Sequence, residues 1–476
     1  MEAAAPLLPT PDQDGKKLRR ELTLLDSLSI VVGIIVGSGI FTTPGVVLAQ
    51  AGSVGEGLIM WLVAGGLTLC SALIYAELGT SIPVSSGDVE FLRTAFGPSW
   101  AFSFIWTSFL VLFPGSINIF AIALGQYFLA AITSADFSTQ DVQDDPRVIY
   151  IAITSVVGLT VYNFAGVRFR SFLQNAFGLC KILLVFIILL VAAVFLTSDT
   201  SILQANFSKP FVGSSFLGIG PSMVATLWAY DGLPNIVFLT EEMKNPSRDI
   251  PRVSYAGCFL VTSIYLAVNL AYLSVLPSSD VKNSFIVAMD STGAVFGHQA
   301  GRFTAILVFL SLLGSLNAII LCGGRYLFSA ARDGHFLYGE WFGTVNQRTG
   351  APVVALLAQG VWSVFILLLS DDVVKLLNYF SISAFFFTGL IALAHWKLRY
   401  QYPELPRPFR VPLHPSLNVI VISTSLYMIV SSIATDPVAP IGSLLFCFSS
   451  FPVYQIFFKK TDSKTRPGHE NVALLS

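Results

Sequence analysis

Thr226-Leu227-Trp228-Ala229-Tyr230-Asp231-Gly232-Leu233-Pro234-Asn235 sets an acid, a glycine and a proline in the middle of an apolar run. Proline removes a backbone donor and clashes with the preceding turn, and glycine adds backbone freedom. In hydrocarbon, the peptide groups released by such a break must be satisfied by protein or by a polar cavity. A carboxylate at mid-membrane costs about 3 kcal/mol on insertion scales and marks a functional site by default. The bland alternative is a proline kink with Asp231 paired to a neighbour.

The surrounding chain makes the membrane reading necessary. Of its residues 54% are hydrophobic and 12% charged, against about 25% charged in an average soluble domain. The charges gather between apolar runs of full spanning length, about 20 residues each. Runs fall at 26–50, 56–82, 98–132, 148–166, 171–197, 217–240, 253–276, 303–331, 352–370, 374–396, 414–433 and 439–458. Twelve spans put both termini on one side. Lys and Arg decide which: 21 lie in the loops and tails of the N-terminal side and five opposite, with Lys181 inside a span. The positive-inside rule makes that side cytoplasmic. The acidic loop 133–147 and the sequon Asn206-Phe207-Ser208 fall on the other side, although one sequon in a chain this long is expected by chance. Residues 1–22 and 459–476 read as short cytoplasmic tails around a twelve-span helical domain at 23–458.

Composition also excludes other classes. A net charge of −1 gives no field for nucleic acid. There is no nucleophile–base motif or nucleotide loop, and His298, His335, His395, His414 and His469 are scattered. No enzymatic activity, cofactor or metal is expected. The five cysteines (Cys70, Cys180, Cys258, Cys322 and Cys447) sit in or beside apolar runs without metal-ligand spacing, and are expected reduced and buried.

A second break lies in the first span, Ile34-Ile35-Val36-Gly37-Ser38-Gly39-Ile40-Phe41. Alone it would pass for a small-residue packing seam. Its position pairs it with the Asp231 break: the first span opens one set of five helices (26–197) and the sixth opens the next (217–396). Five spans is an odd number, so the second set is inverted, and paired interrupted helices in two halves point to a transporter site. The freed N–H groups after the first break suit a carboxylate, with the helix dipole adding attraction. The unwound carbonyls of the second suit an ammonium group. Trp228, beside the break, is a candidate lid, though such a tryptophan is more often simply packed.

Lys181 stands inside the fifth span, at Leu179-Cys180-Lys181-Ile182. It is either an interfacial lysine or a fixed ammonium in the place of a bound sodium ion, and the residues alone leave both open. Glu77 reads as structural. Glu241-Glu242 beside Lys244, Arg248 and Arg252 reads either as an ion-pair gate or as a solvated loop.

Taken together, several stretches resemble the amino acid–polyamine–organocation superfamily, within it the L-type amino-acid transporters that include the light subunits of heteromeric transporters. They are Gly37 to Phe41, Tyr75-Ala76-Glu77-Leu78-Gly79-Thr80, Trp228 to Gly232, Thr240 to Pro246, Arg248 to Pro251, Gly324-Arg325, Ala331 to His335 and Pro403 to Pro408. The resemblance covers about residues 21 to 458. It implies an all-α membrane protein with a LeuT-like 5+5 inverted repeat plus two extra helices (414–458). It implies that Ile35, Gly37, Ser38 and Gly39 hold a substrate carboxylate. By the same resemblance, backbone near Trp228, Ala229 and Asp231 holds the ammonium, Trp228 gates the site and Lys181 substitutes for sodium. Relatives carry Gly-Trp-Asn where this chain has Gly232-Leu233-Pro234. Light subunits carry a cysteine in the exterior loop between spans 3 and 4, and 133–147 has none. A disulfide-linked heavy chain is therefore not expected, while a non-covalent partner is compatible.

The expectation is sodium-independent exchange of neutral or cationic amino acids at the plasma membrane. The alternatives are proton-driven uptake of polyamines or basic amino acids, and a non-transporting sensor or channel on the same fold.

Overall fold

The computed structural model describes residues 22–37, 39–82, 87–133, 142, 145–164, 167–233, 236, 237, 240, 243–332, 334–346, 349–369 and 373–458, without the side chains of 167–176. Its elements are helical: α1 (Leu24–Ile35), α2 (Gly39–Thr42), α3 (Pro44–Ala51), α4 (Val54–Ser81), α5 (Asp88–Phe96), α6 (Pro98–Thr107), α7 (Phe113–Ile132), α8 (Arg147–Tyr162), α9 (Val167–Leu196) and α10 (Ser201–Ser208). There follow α11 (Ile219–Ala229), α12 (Pro246–Val275), α13 (Ser278–Lys282), α14 (Val287–Phe296), α15 (His298–Arg332), α16 (Gly339–Phe342), α17 (Val353–Leu369), α18 (Val373–Gln401), α19 (Ser416–Thr435) and α20 (Val438–Phe457). Among the described residues nine helical runs are long and apolar enough to cross a membrane. The expected fourth, sixth and ninth spans coincide with three shorter apolar helices, Arg147–Tyr162, Phe216–Ala229 and Val353–Leu369.

Local chemistry accounts for the helix boundaries. The Thr23 side chain accepts from Asp26 N while Thr23 N donates to Asp26 Oδ2 at 2.9 Å, a reciprocal cap that starts α1. Ser53 caps α4 through Glu56 N at 3.2 Å. Between α6 and α7 a π-turn at Ser108–Leu112 disturbs the helical ladder. The Leu110 carbonyl there accepts from Trp362 Nε1 of α17 at 2.9 Å. On the side of the bundle where the chain leaves α3, cations meet helix ends: Lys282 Nζ reaches Gly52 O at 2.5 Å and Arg302 Nε reaches Ala131 O at 2.7 Å.

At the opposite end one carboxylate organises the chain. Glu77 of α4 accepts Arg399 Nε on Oε1 at 2.7 Å, a second Arg399 nitrogen on Oε2, and Val411 N on Oε2 at 2.6 Å. Arg407 Nε lies 3.3 Å and His395 Nε2 3.2 Å from Oε1. Asn418 Nδ2 donates to His395 Nδ1 at 2.9 Å, which leaves the imidazole proton on Nε2, facing Glu77. Arg407 in turn donates to the carbonyls of Leu398, Tyr402, Pro403 and Leu405, folding the segment after α18 back under α4. The structural reading of Glu77 holds, and the histidines are less scattered than they look: His395 and His414 face one another across Asn418.

Two expectations need correction, and the sequon is accounted for. The run 217–240 is helical only to Ala229; the described residues beyond it form turns and short 3₁₀ pieces, because Gly232 sits at φ 117°, outside helical space. The cysteines are unpaired, but only Cys258 and Cys447 are buried, and Cys322 is exposed on a face of α15. An apolar run has an outward face as well as a packed one, and composition does not distinguish them. Asn206 lies in α10 with its Nδ2 donating to Leu273 O and Leu276 O at 2.8 and 2.9 Å, so the nitrogen a glycan would take is already committed. Glu241, Glu242 and the tails at 1–21 and 459–476 lie outside the described residues.

Candidate functional site

The two breaks meet. α1 ends at Ile35, and helix resumes at Gly39. Gly37 N turns back onto Ile35 O at 2.6 Å, and Ser38 lies outside the described residues. The first N–H groups of α2 have no intrahelical partner by construction. Across from them α11 stops at Ala229, where Tyr230 N still reaches Thr226 O and Asp231 N reaches Trp228 O at 3.1 Å.

Glycine makes the approach attainable. A Cβ on Gly39 would stand 2.7 Å from the Ala229 Cβ and 2.8 Å from its Cα. A Cβ on Gly232 would stand 2.7 Å from Ile34 Cγ2. The backbones of the two broken helices therefore touch at the point where both are unwound, as packing at small residues permits.

A residue that spacing did not single out joins them. Tyr265 of α12 is fully buried, and its hydroxyl lies 2.7 Å from both Ile35 O and Ala229 O. A phenol carries one proton, so it donates to one carbonyl at a time. Trp61 packs edge-on to Tyr265 with ring centroids 5.3 Å apart, and Tyr230 stands 4.8 Å away. In the sequence Tyr265 is one aromatic within an apolar run, and only the fold brings it to both breaks.

The remaining expected site residues divide. Trp228 is buried, with its ring 5.4 Å from Phe120 of α7. Asp231 is exposed to a cavity of about 110 Å³ lined also by Trp228, Ser381, Thr388, Thr424 and Ser425. That volume holds several water molecules or a small polar group. The carboxylate thus opens toward α18 and α19, while the glycine contacts lie against α1. Lys181 sits midway along α9, deeper than the expected start of that span at 171 suggested, and its Nζ lies 3.4 Å from Gly33 O in the last turns of α1. It meets the broken helix through a carbonyl, where a helix C-terminus carries partial negative charge. Among the described residues no group of three or more His, Cys, Asp or Glu side chains is placed to hold a metal.

Among the described residues the arrangement sets the first N–H groups of α2 opposite the end of α11, with the Asp231 cavity alongside. Comparison with known proteins identifies the family. The family model for amino acid permeases matches residues 22–458. The mouse b(0,+)-type amino acid transporter 1 is 34% identical over 445 residues, covering 92% of this chain and 88% of the relative. The human cystine/glutamate transporter is 30% identical over 452 residues, covering 94% and 87%. The rat large neutral amino acids transporter small subunit 2 is 29% identical over 446 residues, covering 92% and 81%.

Proposed function

The chain belongs to the amino acid permease family, and we propose that it is a sodium-independent amino-acid exchanger working by alternating access at the two broken helices. It is a multi-pass membrane protein and a transporter, not an enzyme. The single observation that carries the mechanism is the contact of Gly39 with Ala229 between two interrupted helices. The substrate carboxylate rests on the N–H groups at Ser38 and Gly39, beside Ile35 and Gly37, whose own N–H turns back onto Ile35 O. The ammonium rests on carbonyls near Trp228, Ala229 and Asp231. Trp228, against Phe120, forms the gate. Lys181 supplies, at the Gly33 carbonyl, the fixed positive charge that a sodium ion would otherwise bring.

The finer architecture belongs to the same proposal: twelve spans, an inverted repeat of 26–197 on 217–396, two further helices, both termini cytoplasmic, and the plasma membrane as location. Substrates are neutral and cationic amino acids, the cationic ones using the Asp231 cavity. The names of the relatives, b(0,+)-type and large neutral amino acids, support that range. The "small subunit" in the rat relative's name supports a partner subunit, held here without a disulfide from loop 133–147.

The test is exchange in proteoliposomes: labelled leucine or arginine outside, unlabelled amino acid inside, sodium absent. Exchange is expected without sodium. A requirement for a sodium gradient would remove the Lys181 role, and no exchange with any amino acid would remove the function. Lys181→Ala is expected to cut exchange at least tenfold, one such factor being about 1.4 kcal/mol of lost interaction, while the protein remains folded. Unchanged exchange would make Lys181 an ordinary interfacial lysine.

A further inference from the structure

Away from the broken helices, α7, α15 and α17 enclose polar atoms that protein groups leave unsatisfied. Gln359 of α17 is 1% exposed, and neither its Nε2 nor its Oε1 has a partner among the described residues. One turn further along α17, on the same face, the fully buried Ser363 Oγ is likewise unpartnered. Asn118 of α7 reaches this turn: its Nδ2 donates to Ser363 O at 3.0 Å, and its buried Oδ1 has no partner among the described residues. The Gln359 amide lies over Gly323 of α15, where an added Cβ would come within 2.1 Å of Nε2 and 2.5 Å of Oε1. The absent side chain at Gly323 makes the recess that the amide occupies.

Buried polar groups at membrane depth are strongly disfavoured unless paired. Hydrophobic side chains of the same size would have fitted these positions at no such cost. The unsatisfied set also restricts the occupant. It includes a donor (Gln359 Nε2), two acceptors (Gln359 Oε1 and Asn118 Oδ1) and a hydroxyl that does both. A cation would serve only the acceptors and an anion only the donors. Water serves all four, and buried waters characteristically make two to four such bonds.

We propose that Gln359, Ser363 and Asn118 form a binding site for ordered water against α15, tying α7 to α17 by water-mediated hydrogen bonds. None of the three residues lines the cavity at Asp231. The site therefore belongs to the packing of the scaffold and is separate from the proposed substrate path.

The test uses the full chain in nanodiscs and reads stability, so it is independent of whether the transport reading holds. Gln359→Met keeps the length and removes the polar atoms. If water satisfies the amide, the variant loses those bonds, and its apparent Tm falls by about 2–4 °C at a fixed scan rate, with exchange retained. If the amide is dry and unpaired, removing it relieves a desolvation cost, and Tm stays level or rises; that result overturns the proposal. A high-resolution density map of the unaltered protein is the second measurement. Density for a solvent atom within hydrogen-bond distance of the Gln359 amide supports the site, and featureless space there overturns it whatever the variant does.

Discussion

Tyr265→Phe removes one oxygen from the junction of the two broken helices and leaves the ring packing with Trp61 and Tyr230 intact. The hydroxyl lies 2.7 Å from Ile35 O and from Ala229 O. Ile35 O also accepts from Gly37 N at 2.6 Å, so it keeps a donor when the phenol is lost. Among the described residues Tyr265 is the side chain that donates to Ala229 O, and a buried carbonyl left unsatisfied costs about 1–3 kcal/mol. Taking about 2 kcal/mol, and 1.4 kcal/mol per factor of ten, the conformation in which the helices are joined is disfavoured roughly 30-fold. If that conformation is an obligatory stage of exchange, the variant should exchange leucine one to one and a half orders of magnitude more slowly. The measurement is initial-rate exchange in proteoliposomes at matched protein content, with apparent Tm recorded to separate slow exchange from unfolding. A Tyr265→Phe protein with rate and KM within twofold of the original would refute the reasoning, because the bridge would then contribute nothing to the cycle.

Three other substitutions probe separate parts of the structure. Gly39→Ala places a methyl 2.7 Å from the Ala229 Cβ and must part the broken helices; exchange should be lost while the protein still reaches the membrane, and normal kinetics would show that the contact is dispensable. Glu77→Ala strands Arg399 and Arg407, and losing one member of a buried ionic cluster costs about 3–5 kcal/mol; a sharp drop in apparent Tm is expected, with Glu77→Gln intermediate, and an unchanged melt would count against the network. Asp88, at the start of α5 and outside the spanning helices, has its pKa pushed up to about 6 by burial, with the Tyr75 hydroxyl opposing and the Asp231 charge adding. Its folded form thus binds a proton more tightly than the unfolded chain, so its stabilising contribution is full below the ordinary carboxylate range and is lost as pH rises through about 6. Asp88→Asn should raise apparent Tm at about pH 8 and give no gain at about pH 4; equal effects at both pH values would contradict the burial of the charge.

Much of the architecture is legible in residue order because its causes are local. Apolar length separates membrane helices from loops, lysine and arginine segregate by loop, and glycine and proline interrupt helices wherever they occur. That is why the breaks at Gly37–Gly39 and Asp231–Gly232 could be read before any coordinates. Helix ends were readable to within a few residues for most spans. The stretch after Ala229 was not, because how far the chain unwinds past Gly232 depends on what packs around it.

Other features exist only once distant segments meet. Tyr265 is 230 residues from Ile35, Glu77 is 322 from Arg399, and Gln359 is 36 from the glycine that makes room for it. The facing of Asp231 toward α18 and α19, and the carbonyl that Lys181 reaches, were likewise decided by the fold. A residue's own chemistry states that a carboxylate, an ammonium or an amide needs a partner inside a membrane. Which partner it finds is a matter of close packing among helices far apart in the chain, and no local pattern encodes that.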